Sequence, residues 1–422
     1  MSRGWVCGAA QVPFPVPAGT PMEGYAARPG PALGTLDELT IGALSLEAGD
    51  GRLVLVAVDL AAVDSALVDE VAAAAGVHRS ELVLCASHTH SGPAGVISRL
   101  HPSEPDSLNP ALRGAFIRAA VKAIASARSR AEPVELLFGR AETSGLAANR
   151  NRADGPCDPH VSILATRNRA GRLTSLLAHF ACHPTILSAE NRLVSADFPG
   201  AFRRALEPML SEDALAPVVL FVNGAAGDVS TRFTRLSQDS DEVERVGAGL
   251  ANAARSALEI ARPLDPVLAF AQKAAALRPR GLEHLPAAPS GVVAHGQDSA
   301  ATRRIAETRA QGAMLLERLA QAGPDAIQRT CAIPAWRLGD LRIVAIPGEL
   351  FASLGERIVR SSPDPVLVFG YANGYVGYLV DEAADAAGTY EALASPFAPG
   401  AGDELAGVAL AALNALASEA EL

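Results

Sequence analysis

The sequence LVLCASHTHSGP occupies residues 82–93 and joins a short apolar run to a turn that carries two histidines. The apolar run is typical of a buried strand, and the Ser-Gly-Pro segment predicts a tight turn after it. Because residues i and i+2 of an extended segment point to the same side, His88 and His90 are predicted to face one small volume. Neutral imidazole is a common metal ligand, so this strand end is a candidate metal site. The alternative is a pair of polar residues that merely end a strand.

On both sides of this stretch, apolar runs of strand length alternate with segments of helical periodicity. Strands are predicted at residues 53–60, 82–86, 134–139, 161–166, 173–181, 218–222, 341–346 and 366–369. Helices are predicted at residues 65–75, 111–131, 198–210, 243–261, 300–322 and 408–422. The alternation predicts an α/β fold with a mixed central sheet flanked by helices. We expect a single domain over residues 1–422, with a surface loop or lid at residues 278–299, which are rich in Pro, Gly and His.

Charge and cysteine content limit the partners and the compartment. The net charge is −10 and no basic block occurs, which disfavours nucleic acid as a partner. The five cysteines form no CxxC pair, and their odd number favours a reducing compartment over a disulfide framework. The N-terminus does not resemble a signal peptide, and the apolar runs are too short to span a bilayer. We therefore expect a cytoplasmic protein without stable membrane insertion, of undetermined oligomeric state.

Residues capable of chemistry follow several other predicted strands. They are His183, Asp228 with Ser230, Glu349, and the tyrosine-bearing residues 373–378. In α/β sheets, ligands gather beyond the carboxyl ends of strands, so these residues are predicted to meet and to form a zinc site at the strand ends. Each residue also has a plainer interpretation. His183 alone is consistent with a core histidine, and Glu349 alone with a carboxylate at a helix N-terminus. Asp59, at another strand end, is a candidate for orienting one of the histidines.

These motifs resemble those of the neutral, non-lysosomal ceramidases and occur in that family's order. The matching segments are Gly19-Thr20-Pro21-Met22-x-Gly24-Tyr25, His88-Thr89-His90-Ser91-Gly92-Pro93, His183-Pro184-Thr185, Asn223-x-x-x-Gly227-Asp228-Val229-Ser230, Gly348-Glu349, Tyr375-x-x-Tyr378, Tyr390-Glu391 and Gly402-Asp403-Glu404. The resemblance covers nearly the whole chain. It implies the catalytic domain of that family, without the C-terminal β-sandwich domain of the long ceramidases.

The resemblance also implies zinc-dependent hydrolysis of an N-acyl amide bond and assigns the metal ligands. The residues that match the family's zinc ligands are His88, His183, Glu349 and Tyr378. A tyrosine ligand requires that the metal lower the pKa of the phenol well below its free value of about 10. The implied substrate is a small-molecule or lipid N-acyl amide.

The same resemblance assigns catalytic roles to four further residues. His90 matches a general base or substrate-orienting histidine, and Arg150 matches an arginine that holds substrate or developing charge. Tyr390 matches a hydrogen-bond donor to the oxyanion. Ser230 matches a serine proposed as nucleophile, and a zinc-activated water is its competitor. We favour the water, because Ser230 has no obvious second base if His90 serves the water.

The chain departs from the family pattern beside two of these residues. Thr231-Arg232 follows Ser230 where the family usually has Pro-Asn, and Asn151-Arg152 follows Arg150 where it usually has Ser-Pro. The family's N-terminal secretion signal is not found either. We therefore expect a substrate smaller or more polar than a membrane ceramide. Two alternatives remain: an acyltransferase or amide-forming enzyme that uses the same site, and a non-catalytic binding protein that keeps the fold.

Overall fold

The computed structural model of the protein describes residues 4–212, 215–281, 300–323, 325 and 327–418. Numbered in chain order, the strands are β1 (Trp5–Pro13), β2 (Gly34–Thr35), β3 (Thr40–Ala48), β4 (Gly51–Val58), β5 (Leu82–Ala86), β6 (Glu132–Glu142), β7 (Ala148–Asn149), β8 (His160–Asn168), β9 (Leu173–Phe180), β10 (Leu193–Val194), β11 (Val218–Asn223), β12 (Val229–Ser230), β13 (Arg262–Pro263), β14 (Leu268–Ala276), β15 (Thr330–Leu338), β16 (Leu341–Ala345), β17 (Glu349–Leu350), β18 (Val366–Phe369) and β19 (Tyr378–Leu379).

The helices are α1 (Ser65–Ala75), α2 (Pro110–Ser129), α3 (Phe198–Leu210), α4 (Ser240–Glu259), α5 (Ala300–Ala322), α6 (Ala352–Arg360), α7 (Glu382–Ala387), α8 (Tyr390–Ala394) and α9 (Ala401–Ser418). A short 3₁₀ helix spans Arg79–Glu81. The sequence placed the bounds of α3 and α5 correctly, whereas α9 begins at residue 401 rather than 408. Most of the predicted loop at 278–299 lies outside the described residues, which resume at residue 300.

The largest sheet has nine strands and mixes parallel with antiparallel pairs. Eight strands follow the order β11-β9-β8-β6-β1-β3-β4-β5, and β13 pairs with β6. The outermost pairs, β11 with β9 and β4 with β5, are parallel. The pairs between them are antiparallel. The predicted α/β fold with a mixed central sheet flanked by helices is thereby confirmed.

Two strands near the middle of this sheet, β1 and β3, have no counterpart among the predicted strands. Both contain glycine and alanine, which have weak strand preference. Their glycines admit close neighbours instead: a Cβ on Gly8 would lie 2.1 Å from the backbone oxygen of Ala127 in α2. A Cβ on Gly42 would lie 2.0 Å from the side chain of Leu220 in β11. These glycines are required by packing against elements distant in sequence, so the local pattern of apolar residues did not indicate the two strands.

The two faces of the large sheet pack against different layers. In β4, Val54 and Val56 point into a core shared with α1 and α2. The alternate residues Leu53 and Leu55 point the other way, into a core shared with Trp336 of a second sheet, because successive strand side chains point to opposite faces. This second sheet has the order β14-β15-β16-β18 and is covered on its far side by α6 and α9. The molecule therefore has four layers, with helices outside and two facing sheets inside.

The loops that follow β5, β11, β16 and β18 meet at one edge of the two sheets. The backbone N–H of Ala86 donates to the carbonyl of Tyr371 at 3.1 Å, which joins the end of β5 to the loop after β18. The N–H of Gly227 donates to the carbonyl of Leu350 at 2.8 Å, which joins the loop after β11 to β17. Strand ends from both sheets are thus brought to the place where the sequence predicted the functional side chains.

Candidate metal site

Three histidines form the centre of this edge. One ring nitrogen from each of His88, His90 and His183 lies within 4.8 Å of the others, and the Nε2 atoms of His88 and His90 are 3.2 Å apart. The pair converges for a reason other than the predicted one. His88 has φ 67°, in the left-handed region, so residues 88–90 are not an extended segment. A positive φ in a non-glycine residue is uncommon and is often found where a site requires one orientation.

Backbone carbonyls fix the orientation of two of these rings. The Nδ1 of His88 lies 2.6 Å from the carbonyl oxygen of Ala61, and the Nδ1 of His183 lies 2.6 Å from that of Ala226. Because a carbonyl only accepts, each Nδ1 carries a proton, and Nε2 is the ring atom of each histidine that faces the site. Asp59 does not orient either histidine, contrary to that hypothesis. Its carboxylate binds Arg203 at 2.6 and 3.1 Å.

Glu349 completes the buried centre. One carboxylate oxygen, Oε2, lies 3.0 Å from the Nε2 of His183 and 3.3 Å from the Nε2 of His88. The other, Oε1, accepts a hydrogen bond of 2.5 Å from the hydroxyl of Tyr375. Burial acts to raise the pKa of the Glu349 carboxyl, but the facing imidazoles of His88 and His183 lower it well below its usual range. Burial and the nearby Arg150 lower the pKa of His183 to about 4, so its ring is neutral.

Tyr378 lies beside Glu349 because β19 pairs with β17 in parallel. Its hydroxyl accepts a hydrogen bond of 2.9 Å from Arg150. Burial raises the pKa of this phenol well above its usual value, and the positive charge of Arg150 opposes that rise. Arg150 is itself held by a buried ion pair, with its Nε 2.6 Å from Glu391. The sequence motifs contained Tyr375 and Glu391, but the interpretation assigned neither of them a role.

His90 is enclosed by a loop near the N-terminus that sequence reasoning did not connect with it. The ring of Tyr25 lies 4.9 Å from the ring of His90 in an edge-on arrangement. Gly24 has φ 97°, and a Cβ there would lie 2.6 Å from the side chain of His90, so only glycine fits. Burial and the adjacent His88 and His183 lower the pKa of His90 well below its usual value. Its ring is therefore neutral.

Tyr371 is a further contact that the sequence did not indicate. Its ring stacks on that of His88, with centroids 4.0 Å apart and planes inclined by 18°. Tyr371 is fully buried and has φ 52°. The stacking restricts rotation of the His88 ring and so adds to the hold of the Ala61 carbonyl.

Ser230 and Tyr390 stand at the edge of the buried centre. The hydroxyl of Ser230 accepts a hydrogen bond of 3.2 Å from the backbone N–H of Arg232. The ring of Tyr390 lies 5.7 Å from that of Tyr378. Burial raises the pKa of Tyr390 to about 12, so its hydroxyl stays protonated near neutral pH.

A cavity of about 1280 Å³ opens above these residues. Among the residues that the sequence predicted for the site, those that line the cavity are His88, His90, Arg150, Ser230, Glu349, Tyr378 and Tyr390. His183 is not among the lining residues; it is fully buried and contacts Glu349. Helix α5 forms part of the wall through Thr308 and Leu315. A smaller cavity of about 430 Å³ lies between β3 and α3 and is lined by none of these residues.

Comparison with known proteins agrees with this geometry. Residues 8–246, more than half of the 422 residues, match the family described as neutral/alkaline non-lysosomal ceramidase, N-terminal. The chain belongs to this family. Over 136 residues it is 29% identical to the neutral ceramidase of Pseudomonas aeruginosa, a match that covers 29% of this chain and 20% of that relative. The matched segment thus spans about a fifth of the relative's length.

Solved ceramidase structures share the fold of this chain. The crystal structure of the neutral ceramidase from Pseudomonas aeruginosa superposes with a TM-score of 0.80 at 20% identity, over 99% of this chain and 75% of that one. A ceramidase complexed with C2 also gives a TM-score of 0.80 at 20% identity, over 99% and 76%. In the part of our chain that the structure describes, every helix is too short or too polar to cross a membrane.

Proposed function

We propose that this protein is a zinc-dependent hydrolase that cleaves the amide bond of a ceramide-like or smaller N-acyl compound. One observation carries the proposal: the Nε2 atoms of His88 and His183 both lie within 3.3 Å of one carboxylate oxygen of Glu349. With both Nδ1 protons held by carbonyls, the two Nε2 atoms and the carboxylate oxygen are the ligand atoms available here, and they converge on one small volume. Imidazole nitrogens and a carboxylate oxygen so arranged suit a bound cation. Membership of the ceramidase family adds support.

The donor set is suited to zinc, which is bound in proteins by imidazole nitrogen and carboxylate oxygen. The residues that we assign to hold it are His88, His183, Glu349 and Tyr378. When bound there, zinc supplies a Lewis acid and an activated water at neutral pH. Arg150 contacts the Tyr378 hydroxyl at 2.9 Å, and its positive charge favours the ionised phenol that a ligand role requires.

The remaining residues carry the proton transfers and the developing charge. His90 accepts the proton of the attacking water and returns it to the nitrogen of the leaving amine. Tyr390 donates a hydrogen bond to the carbonyl oxygen as negative charge accumulates on it. The reaction consumes one water and yields a carboxylate and an amine. Ser230 is the competing nucleophile, but its described contact is with a backbone N–H rather than with a base, which favours water.

Release of fatty acid from a panel of N-acyl amides tests this function. The panel contains a long-chain ceramide dispersed in detergent and short N-acyl amines, assayed before and after a chelator and again after zinc is added back. We expect activity that follows the zinc and is lost in His183→Ala. The matched control is His78→Ala, because His78 is exposed and contacts only Ser80 among the described side chains. A metal-loaded protein that hydrolyses no member of the panel would refute the proposal.

We further propose that the protein works in a reducing compartment such as the cytoplasm. All five cysteines are free thiols, and four of them are buried. Burial raises the pKa of Cys7 and of Cys331 to about 12, which suppresses the reactive thiolate. A reducing agent should therefore leave the thermal stability unchanged, whereas a drop in stability on reduction would indicate a disulfide and an oxidising compartment.

A further inference from the structure

Several arginines without a role in the proposed chemistry line the cavity beside the metal site, among them Arg232, Arg235 and Arg304. Arg232 lies two residues beyond Ser230, Arg235 follows in the same turn, and Arg304 extends from α5. The guanidinium of Arg232 donates to the carbonyl of Arg150 at 2.8 Å, and that of Arg235 donates to the carbonyl of Thr185 at 2.9 Å. Both partners are neutral backbone groups.

Two buried arginines of this protein are paired differently. Arg113 contacts both Asp64 and Glu70, and Arg203 contacts Asp59. By contrast, no carboxylate of the described residues lies within ion-pair distance of Arg232 or Arg235. Arg304 contacts Glu307 at 3.3 Å, one turn along its own helix, in a pair that is largely exposed and therefore weak.

The positive charge of these three arginines is consequently poorly neutralised. Burial, followed by the charges of Arg150 and Arg304, lowers the pKa of Arg232 to about 10. Burial also lowers the pKa of Arg235; the nearby Tyr25 and Asp197 oppose that effect, and Arg304 adds to it. Guanidiniums that depress one another's pKa in a partly buried wall are stabilised by any anion that enters.

Five glutamates line the same cavity, but among the described residues none of them lies within ion-pair distance of Arg232 or Arg235, and only Glu307 contacts Arg304. Glu23 also lines the cavity, but burial and the nearby Glu104 raise the pKa of Glu23 to about 8, so it is neutral at physiological pH. Glu349 belongs to the metal site and faces His88 and His183. A ligand that enters the cavity therefore meets a concentrated positive charge on one wall of an otherwise acidic protein with a net charge of −10.

We propose that Arg232, Arg235 and Arg304 form a subsite for an anionic group on the amine half of the N-acyl substrate. The inference rests on the proposed function and names its substrate class: N-acyl compounds whose amine carries a carboxylate, sulfonate or phosphate. Arg232 stands where the family pattern usually has Asn, so this chain introduces the charge. A guanidinium recognises such planar or tetrahedral anions with paired N–H donors.

The position of Arg232 places the subsite beside the reacting amide. Its guanidinium touches the backbone of Arg150, whose own side chain contacts Tyr378, so the subsite adjoins the reacting amide. A short amine such as glycine or taurine carries its anion only a few bonds from the amide nitrogen, so we assign the anion to the amine half. The acyl chain then extends toward the apolar side chains of Met314 and Leu315 on the α5 wall.

Paired substrates of equal chain length test the subsite. N-Lauroylglycine and N-lauroyltaurine carry the anion, and N-lauroylethanolamine is the neutral match. We expect kcat/KM for the better anionic substrate to exceed that for the neutral one by about 10–100-fold, the scale of hydrogen bonds to a charged group. Arg232→Gln and Arg304→Gln should each lower that ratio about 10-fold. The control is Arg255→Gln on the exposed side of α4, which should leave the ratio unchanged.

Calorimetric binding of N-lauroylglycine to the His90→Ala protein, in which turnover is expected to be slow, measures binding separately from catalysis. We expect Arg304→Gln in that background to weaken binding about 10-fold, and because the hydrogen bond of the Arg304 side chain to Glu307 is exposed, this variant should fold normally. Equal kcat/KM for anionic and neutral substrates, or a preference that survives both substitutions, would overturn the subsite and leave the hydrolase intact. Hydrolysis of no substrate would instead refute the proposed function, while calorimetry would still decide whether the arginines bind the anion.

Discussion

Replacing Glu391 by Gln removes one charge from the buried pair that holds Arg150. The side chains of Arg150 and Glu391 are only 7% and 1% exposed, and Arg150 Nε lies 2.6 Å from Glu391 Oε1. The second oxygen, Oε2, accepts a hydrogen bond of 2.9 Å from Asn151. Burial acts to raise the pKa of Glu391, but Arg150 and Asn151 lower it overall, so the carboxylate is ionised at neutral pH. Glutamine has the same shape but offers a single acceptor, so one of the two donors loses its partner.

The loss of stability can be placed on a scale from these contacts. Breaking a buried ion pair by neutralising one partner costs about 3–5 kcal/mol, because the other charge is left buried. Arg150 keeps its contacts of 2.9 Å with the carbonyl of Gly227 and the hydroxyl of Tyr378, so we expect the lower end, about 3 kcal/mol. The matched control is Glu259→Gln in the exposed pair with Arg255, for which about 0.3–0.5 kcal/mol is expected.

Denaturant unfolding followed by tryptophan fluorescence measures both variants. Trp5 and Trp336 are 3% and 1% exposed and lie in the core between the two sheets. Their fluorescence therefore changes when this core unfolds. We expect the free energy of unfolding of Glu391→Gln to fall well below those of the wild type and of Glu259→Gln. A loss below about 1 kcal/mol, no larger than that of the control, would refute the view that Arg150 depends on this buried charge.

The metal assignment predicts that His88→Ala and Glu349→Gln each lose most of the bound zinc in elemental analysis, and full retention by both would contradict it. His90→Ala should keep the metal and lose about 10²-fold or more in activity, whereas loss of zinc would make His90 a ligand. Tyr390→Phe should lose roughly 10²–10³-fold in kcat, and an unchanged kcat would remove its role at the oxyanion. Because the pKa of Glu23 is raised to about 8 in the folded protein, its stabilising contribution is complete below the unfolded value near 4.3 and is lost as pH rises through 8. The stability of wild type relative to Glu23→Gln should therefore fall by about 1–3 kcal/mol between pH 5 and pH 9, and parallel pH profiles would contradict this.

Local sequence pattern succeeded where an element carries its own signals. Helix α3 begins after Asp197, whose carboxylate caps Phe198, and the sequence predicted the bounds of this helix. The strand β5 and the histidines after it were likewise found from an apolar run and a turn. The central strand β1 was missed because the glycine at position 8 is required by close packing against the backbone of α2, which is more than 100 residues away in sequence.

The chemical identity of the site was therefore readable from the chain: imidazoles, a carboxylate and tyrosines that follow apolar strands. Their mutual arrangement was not. The sequence did not indicate that Ala61 and Ala226 hold the imidazoles, that Tyr375 rather than Tyr378 hydrogen-bonds to Glu349, or that Glu391 pairs with Arg150 from 241 residues away. Hydrophobic periodicity depends only on residues that are close in sequence, so it can be recognised without knowledge of the fold. A hydrogen bond between distant residues exists only after two sheets and their connecting loops have packed, because packing alone sets the distance between its atoms.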